Sequence, residues 1–470
     1  MTIYILGGGP AGLAVADGLA DRGDVPFVVI ERGPRLGGLA QTSHWDGVGD
    51  HDLGPHKIFT LDQALVNRVE AMLPKSDWLT RDKVSSIYMK GHYLPYPPSP
   101  FSLAGVFGLT TFIRMVLGYG KARVVSLLST HKPSTFEEDL SGRLGHGLYE
   151  VLFKPIALKL WGDPQRLDIK LSRGRVQTPS LIEVVARMLK LQKGSKFEAL
   201  TFRYPRGGLS RLWDAIEKKG EVNGGFLVNH AVEGLEVRDG RIIQIRCKQR
   251  DGGTANFVVG PDDFVVSTLP LSLSTKLLSG HLAPHLPSLV EKTVVLNDLL
   301  LVFLHVNVPS LLKESWVFVP DPDIAFHRLS EQESFDPDMT PNGSIVCCEI
   351  MSNDSRSMNI LSDEELISAA QKGLADMGYR NFNVLGKRVI RLPKSYPVFR
   401  PGFEEGLSEI ITAFDGFENF KSLGRQGAFN YIGTLDAMDI GYGFVRWYLQ
   451  RDATLWSKER ERTNHYPVLD

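Results

Sequence analysis

Residues 2–6, TIYIL, form a short run of apolar and β-branched residues. GGGPAGLAVADGLADRG follows, with small and apolar residues at helical spacing, and the apolar run VPFVVIE comes next. This pattern predicts a strand, a helix opened by glycines and a second strand in immediate succession. Lys83 to Tyr96, KVSSIYMKGHYLPY, alternates like a hairpin with a Lys-Gly turn. From about Phe101 to Leu200 the text is helix-like, punctuated by Pro133, Pro155, Pro164 and Pro179. FLVNHAVEGLEVRDGRIIQIRCK predicts two strands around Asp239-Gly240, and DDFVVSTLPL adds an apolar strand ending in a turn. A strand-rich stretch resumes from Val294 to Val308 and continues through SWVFVP, SIVCCEI and FNVLGKRVIRLP, with the helix DEELISAAQKGLADMG between the last two. From Gly433 on, the pattern ends in a helix carrying Tyr442, Phe444, Trp447 and Leu449.

The alternation of strand-rich and helix-rich blocks points to interleaved domains, and 470 residues exceed what one hydrophobic core serves. The formal net charge of -1 gives no general pull toward nucleic acid or an anionic membrane, so an anionic ligand would need local arginines. Cys347 and Cys348 are adjacent in a predicted strand and point to opposite faces, which suits neither a shared metal nor a mutual disulfide. With Cys247 they read as small buried hydrophobes, and no metal site is expected. No secretory leader is evident, and no stretch reaches transmembrane length. Phe101 to Gly120 comes nearest, is interrupted by Arg114, and reads as a buried or surface-seeking helix. A cytoplasmic location is expected.

Gly7-Gly8-Gly9-Pro10-Ala11-Gly12 is a G-x-G-x-x-G turn directly after a strand and before a helix. Gly7 permits the tight turn, Gly9 lets the backbone approach a pyrophosphate, and Gly12 allows close helix–strand packing. The helix N-terminus adds unpaired N–H groups and partial positive charge. Glu31 ends the second strand, where its carboxylate is placed to accept from both ribose hydroxyls. An acid there favours FAD or NAD over NADP. Gly37-Gly38 then lets another loop run close to a long cofactor, in a pattern typical of FAD enzymes.

In an ordered series over nearly the whole chain, the sequence resembles the amine oxidase–protoporphyrinogen oxidase superfamily, and within it the UDP-galactopyranose mutases. The motifs include DLGPHKIF, KGHYLPYPP, the long KPSTFEEDLSGRLGHGLYEVLFKPIALKLWGDP, GRVQTPSL, YPRGGLSRLWDAI, AFHRLSEQESFDP, SYPVF and GRQGAFNYIGTLDAMD. The alternation of segment types, with glycine-rich segments at both chain ends, predicts an α/β fold: a Rossmann-like FAD-binding domain from residues 1–75, 195–275 and 415–470, a mixed or antiparallel substrate-binding sheet domain from 80–99 and 290–400, and a helical insertion at 100–195. The resemblance implies non-covalent FAD, with room for an external reductant such as NAD(P)H. Arg175 and Arg328 fall where the mutases hold a diphosphate, and Tyr396 and Tyr431 where they place phosphate-contacting tyrosines. His56 falls against the flavin. Arg425 and Asp436 belong to the terminal flavin-binding segment, and Tyr96 and Trp161 to the substrate side.

Each of these has a plainer alternative. Arg175 follows Lys170 and Arg173 and suits a solvated basic face; Arg328 suits a surface ion pair. Tyr396, Tyr431, His56 and Trp161 suit packing. Three departures from the mutase pattern also stand out. Pro55 replaces a glycine before His56, Pro98 and Ser99 follow Tyr96-Pro97 where an aromatic and an amide clamp uracil, and LDAMD replaces an Asp-His pair. Two activities are therefore expected to compete: a reduced-flavin pyranose–furanose mutase of a nucleotide-linked or other anionic sugar, and an FAD oxidoreductase that dehydrogenates a C–N or C–C bond. The expected partner is a small molecule and not nucleic acid; the oligomeric state is left open.

Overall fold

The computed structural model describes residues 1–128, 130, 132–175, 201–450 and 452–463. The side chains of Pro100, Leu127, Arg175, Ala453 and Thr463 lie outside the described part as well.

Five short strands form a wholly parallel sheet, in the order Phe420–Ser422, Phe264–Ser267, Ile3–Leu6, Phe27–Ile30 and Gly224–Leu227. The central strand pairs Ile3 with both Phe264 and Phe27. Parallel strands of this kind are covered on both faces, and here Ile3 and Ile5 enter one apolar cluster while Leu6 enters another. The helix Pro10–Arg22 starts straight from the first strand and buries Ala11 to Leu19. It lies backbone to backbone on the C-terminal helix Thr434–Gln450: a Cβ on Gly441 would come within 2.3 Å of the Ala11 carbonyl oxygen. Asp17 ties four segments together. Its carboxylate accepts from Arg68 at 2.7 Å, Lys219 at 2.6 Å and the Tyr442 hydroxyl at 2.8 Å. Burial raises the Asp17 pKa, but the hydrogen bonds from Lys219 and Arg68 outweigh it and hold the carboxyl below its usual range.

A second sheet has seven strands in the order Val384–Val398, Val295–Val306, Ser344–Ser352, Arg328–Glu331, Trp316–Phe318, Ser85–Met89 and His92–Pro95. It is antiparallel except where Trp316–Phe318 runs parallel to Ser85–Met89. The mixed, mostly antiparallel sheet expected from the sequence is therefore present. In Ser344–Ser352 Cys347 and Cys348 face opposite ways, each into a different apolar cluster. The Lys90-Gly91 turn takes positive φ at both residues, 49° and 78°, the geometry that a two-residue hairpin requires.

Two details differ from the sequence expectation. FLV does not begin the hairpin strand. Gly224–Leu227 pairs with Phe27–Ile30 in the parallel sheet, and Asn229, at φ 58°, turns the chain into the separate strand His230–Arg238. That strand, Arg241–Gln249 and Thr254–Val258 make a three-stranded antiparallel sheet, with the turn at Asp239-Gly240 as expected. The C-terminal helix is followed by a second one, Ala453–Thr463. After the strand His92–Pro95 comes a run of helices, including Pro100–Phe107, Leu109–Leu128, Phe136–Leu144, Lys154–Leu160 and Ile169–Arg175; the rest of the helical insertion expected at 100–195 lies outside the described residues.

Candidate active site

A cavity of about 1620 Å³ runs from the glycine turn after the first strand to the face of the seven-stranded sheet. At its first end the three motif glycines do different work. A Cβ on Gly7, whose φ is 104°, would sit 2.3 Å from the Thr268 hydroxyl. One on Gly12 would meet the Gly7 carbonyl oxygen at 2.1 Å, so only glycine allows this helix to press on the turn. Gly9 is different. Its φ of -80° and ψ of 177° suit any residue, and a Cβ there would meet no atom within 4 Å. The space in front of Gly9 belongs to the cavity. No side chain caps the helix beginning at Pro10, so its first N–H groups face that space.

The Glu31 carboxylate accepts from the backbone N–H of Gly8 at 2.8 Å and of Gly33 at 2.7 Å. Two carboxylate oxygens have about four acceptor positions, so this anchoring leaves capacity for a ribose. The Gly37 N–H donates to the Gly8 carbonyl at 2.7 Å, and Gly38 lies so close that its Cβ would be 3.1 Å from the Gly9 Cα. The second glycine loop is thus pinned to the first. His230 to Glu236, Thr268 and Lys276 continue the wall. These residues form one continuous cavity wall with open backbone at Gly9 and a carboxylate fixed at Glu31.

The cavity is also lined by His56, Lys57, Arg328, Glu349, Lys394, Tyr396, Arg425, Tyr431 and Asp436. The Arg425 guanidinium lies 4.8 Å from the Tyr396 ring centroid and 5.3 Å from that of Tyr431, and the two rings meet edge to face at 5.6 Å. Arg425 also donates to the Ile432 carbonyl at 2.8 Å. Trp161 does not line the cavity. It is buried, and its indole N–H donates to the Tyr431 hydroxyl at 3.3 Å. Tyr96 does not line the cavity either: it is 40% exposed, with its ring 5.0 Å from that of the lining residue Phe318. Asp436 accepts from the Gly433 N–H at 3.2 Å in the first turn of the C-terminal helix. Arg175 closes the helix Ile169–Arg175, and its side chain lies outside the described residues.

His56 donates from Nδ1 to the Gly54 carbonyl at 3.0 Å. A carbonyl only accepts, so in the neutral ring Nε2 is the acceptor. Burial lowers its pKa to about 4; the charges of Arg328 and Arg425 act the same way, and the Gly54 hydrogen bond opposes them. His56 is therefore a neutral acceptor at physiological pH.

Sequence reasoning missed Glu349. It is 1% exposed and holds Arg328 bidentately, with the second contact at 2.8 Å. The pairing follows from sheet register, in which Arg328 and Glu349 are direct partners on adjacent antiparallel strands. The available signal was a single acid in the apolar run SIVCCEIM, because an unpaired carboxylate is almost never buried. It also missed Trp316 and Phe318, two aromatic lining residues; Lys57 lies 5.3 Å from the Trp316 ring centroid.

Comparison with known proteins agrees with this architecture. Over 172 residues, 35% of this chain and 42% of the relative's length, the sequence is 26% identical to a "Probable UDP-galactopyranose mutase" of Klebsiella pneumoniae. The chain thus spans less than half of that curated relative. The crystal structure of a reduced UDP-galactopyranose mutase superposes with a TM-score of 0.83, covering 99% of this chain and 98% of the other at 19% identity. An Exiguobacterium sp. protein assigned to protoporphyrinogen oxidase superposes at 0.71, covering 96% and 99% at 18% identity. At these identities the superpositions speak for the fold. The sequence model of flavin-containing amine oxidoreductases matches residues 10–389. With most of its length matched by that model, this chain belongs to the family of flavin-containing amine oxidoreductases, enzymes that carry a flavin cofactor.

Proposed function

We propose that this protein is an FAD-dependent mutase that interconverts the pyranose and furanose forms of a nucleotide-linked sugar. On this reading non-covalent FAD occupies the cradle formed by Gly7, Gly9, Gly12, Glu31, Gly37 and Gly38. Residues 1–75, 195–275 and 415–470 form the FAD unit, and 80–99 with 290–400 the substrate sheet. The carrying observation is that Arg425 packs on Tyr396 and Tyr431 in the same cavity that Arg328 lines, with His56 facing both arginines. Planar guanidinium groups and phenol hydroxyls are the groups that bind diphosphate oxygens with fixed geometry. A reduced flavin supplies, when bound, an electron-rich nitrogen nucleophile for a sugar's anomeric carbon. The chain's own part is to position and to stabilise charge. Arg328, held in plane by Glu349, faces the leaving diphosphate, with Arg175 its expected partner. Tyr396 and Tyr431 orient phosphate oxygens, and Trp161 sets the Tyr431 hydroxyl. Neutral His56 accepts a hydrogen bond beside the flavin without adding charge.

A second reading, an FAD oxidoreductase acting on a C–N or C–C bond, is favoured by one feature. Glu349 already balances the charge of Arg328, which weakens the case for a strongly anionic substrate. Anaerobic absorbance spectroscopy near the flavin maximum decides. A mutase turns over a nucleotide sugar only after reduction, by dithionite or NAD(P)H, with no net change of flavin redox state. Bleaching of oxidised enzyme by an amine or alicyclic substrate, with no nucleotide-sugar turnover by reduced enzyme, overturns the mutase reading.

A further inference from the structure

The helix Leu109–Leu128 rests on the protein by one face only. Met115 is 3% exposed, and Gly118 touches Gly145 so closely that a Cβ on the latter would sit 2.7 Å away. On the 3.6-residue period, Leu109, Ile113, Leu117, Val124 and Leu128 fall in one stripe on the opposite side. All five are exposed, Leu117 at 68% and Leu128 at 80%, and Phe101 on the preceding helix is exposed at 75%. Contiguous apolar surface of this kind marks an interaction face. Arg123 borders the stripe on one side, Lys121 and Arg114 on the other. From Lys83 to Phe136 there is no Asp or Glu, against Lys83, Lys90, Arg114, Lys121, Arg123 and Lys132.

We propose that the helices Pro100–Phe107 and Leu109–Leu128 dock this protein onto an anionic lipid bilayer, lying in its surface. Charge complementarity selects this occupant. In a symmetric contact between two copies, the same patch meets itself, and basic flanks with no acid in 54 consecutive residues would face one another. An anionic headgroup layer supplies the missing charge, and its acyl boundary takes the apolar stripe. No described helix is long and apolar enough to cross a membrane, so the contact is with one leaflet. The overall net charge of -1 conceals this local excess. The chain also leads from this face toward the lining residue Phe318, because the strand His92–Pro95 passes through Tyr96 into the first of the two helices.

The test is vesicle co-sedimentation of the full flavin-loaded chain, independent of the reaction it catalyses. Vesicles of phosphatidylcholine alone are compared with vesicles containing phosphatidylserine, at low and high salt. The protein is expected to pellet with the anionic vesicles and far less with the neutral ones. Leu117→Ser with Val124→Ser and Leu128→Ser, and separately Arg114→Gln with Lys121→Gln and Arg123→Gln, should each weaken binding by about tenfold or more. Flavin absorbance and melting temperature should stay as in the parent. The second set changes only surface charge, so it remains informative if the first misfolds. Absence of pelleting with anionic vesicles overturns the proposal, as does equal pelleting of the basic-flank variant. So does a dimer in sedimentation velocity that the stripe substitutions convert to a monomer.

Discussion

Arg328 and Glu349 illustrate how one buried pair changes what a substitution means. Replacing Arg328 by Ala removes a cavity-lining guanidinium and also strands a carboxylate that is 1% exposed. Breaking a buried pair in this way typically costs about 3–5 kcal/mol. We therefore expect Arg328→Ala to lose both ligand affinity and stability, whereas Arg328→Met combined with Glu349→Leu recovers the stability but not the affinity. Urea unfolding alongside ligand titration checks both. Nearby, His56 and His51 are held at pKa values of about 4, chiefly by burial. In the unfolded chain they protonate near 6.5, so between 6.5 and 4 the unfolded state binds more protons and stability falls as the pH drops. Burial raises Asp52 to about 6, which acts with the opposite sign over the lower part of that window. Burial also pushes His327 well below its usual range, with the same sign as the two rings, and raises Asp168, Asp214, Glu217, Glu331 and Glu333 as it does Asp52, so only comparison with a variant isolates one ring. From pH 7 to pH 5 the melting temperature of His56→Asn should fall less, or rise more, than that of the parent. An equal change in both proteins would contradict the assignment of His56.

At the scale of elements, the N-terminal strand–turn–helix was legible because everything that shapes it lies within a few residues. Its glycines are nevertheless unequal in a way only coordinates reveal. If the flavin lies on Gly9, as proposed, Gly9→Leu should leave a folded protein without yellow colour, because the backbone suits any residue and only cavity space is filled. Gly12→Ala drives a Cβ to 2.1 Å from a carbonyl oxygen and should lower the melting temperature as well. Absorbance at the flavin band and thermal denaturation together separate the two outcomes. The hairpins at Lys90-Gly91 and Asp239-Gly240 were equally readable, since two-residue turns announce themselves by residue type. FLV was assigned to the wrong partner because periodicity identifies a strand and not the sheet it joins. Glu349 escaped for a related reason: its role is fixed by register with a strand some 20 residues away, through the intervening segment Gln332–Gly343. The aromatic wall of Trp316 and Phe318 likewise depends on how Trp316–Phe318 sits beside Ser85–Met89.

For the whole molecule, the parallel sheet joins strands from both ends of the sequence, and Asp17 gathers hydrogen bonds from Arg68, Lys219 and Tyr442. Limited proteolysis should therefore release no stable N-terminal half. Removing residues 415–470 takes away the edge strand Phe420–Ser422, Arg425 and the helix on which Pro10–Arg22 lies. We expect that truncation to abolish flavin retention, measured by the absorbance of the desalted protein.

The same connectivity has a consequence during synthesis. The strand Ile3–Leu6 is made some 260 residues ahead of its neighbour Phe264–Ser267, and the helix carrying Gly441 follows later still. At roughly 5–20 residues per second, the nascent chain waits tens of seconds with an unpaired apolar strand edge. Through that interval it depends on being shielded by other means, since no cofactor cradle yet exists to close around a ligand. A premature stop codon anywhere upstream of the helix Thr434–Gln450 would thus produce a colourless polypeptide for the cell's quality control to clear.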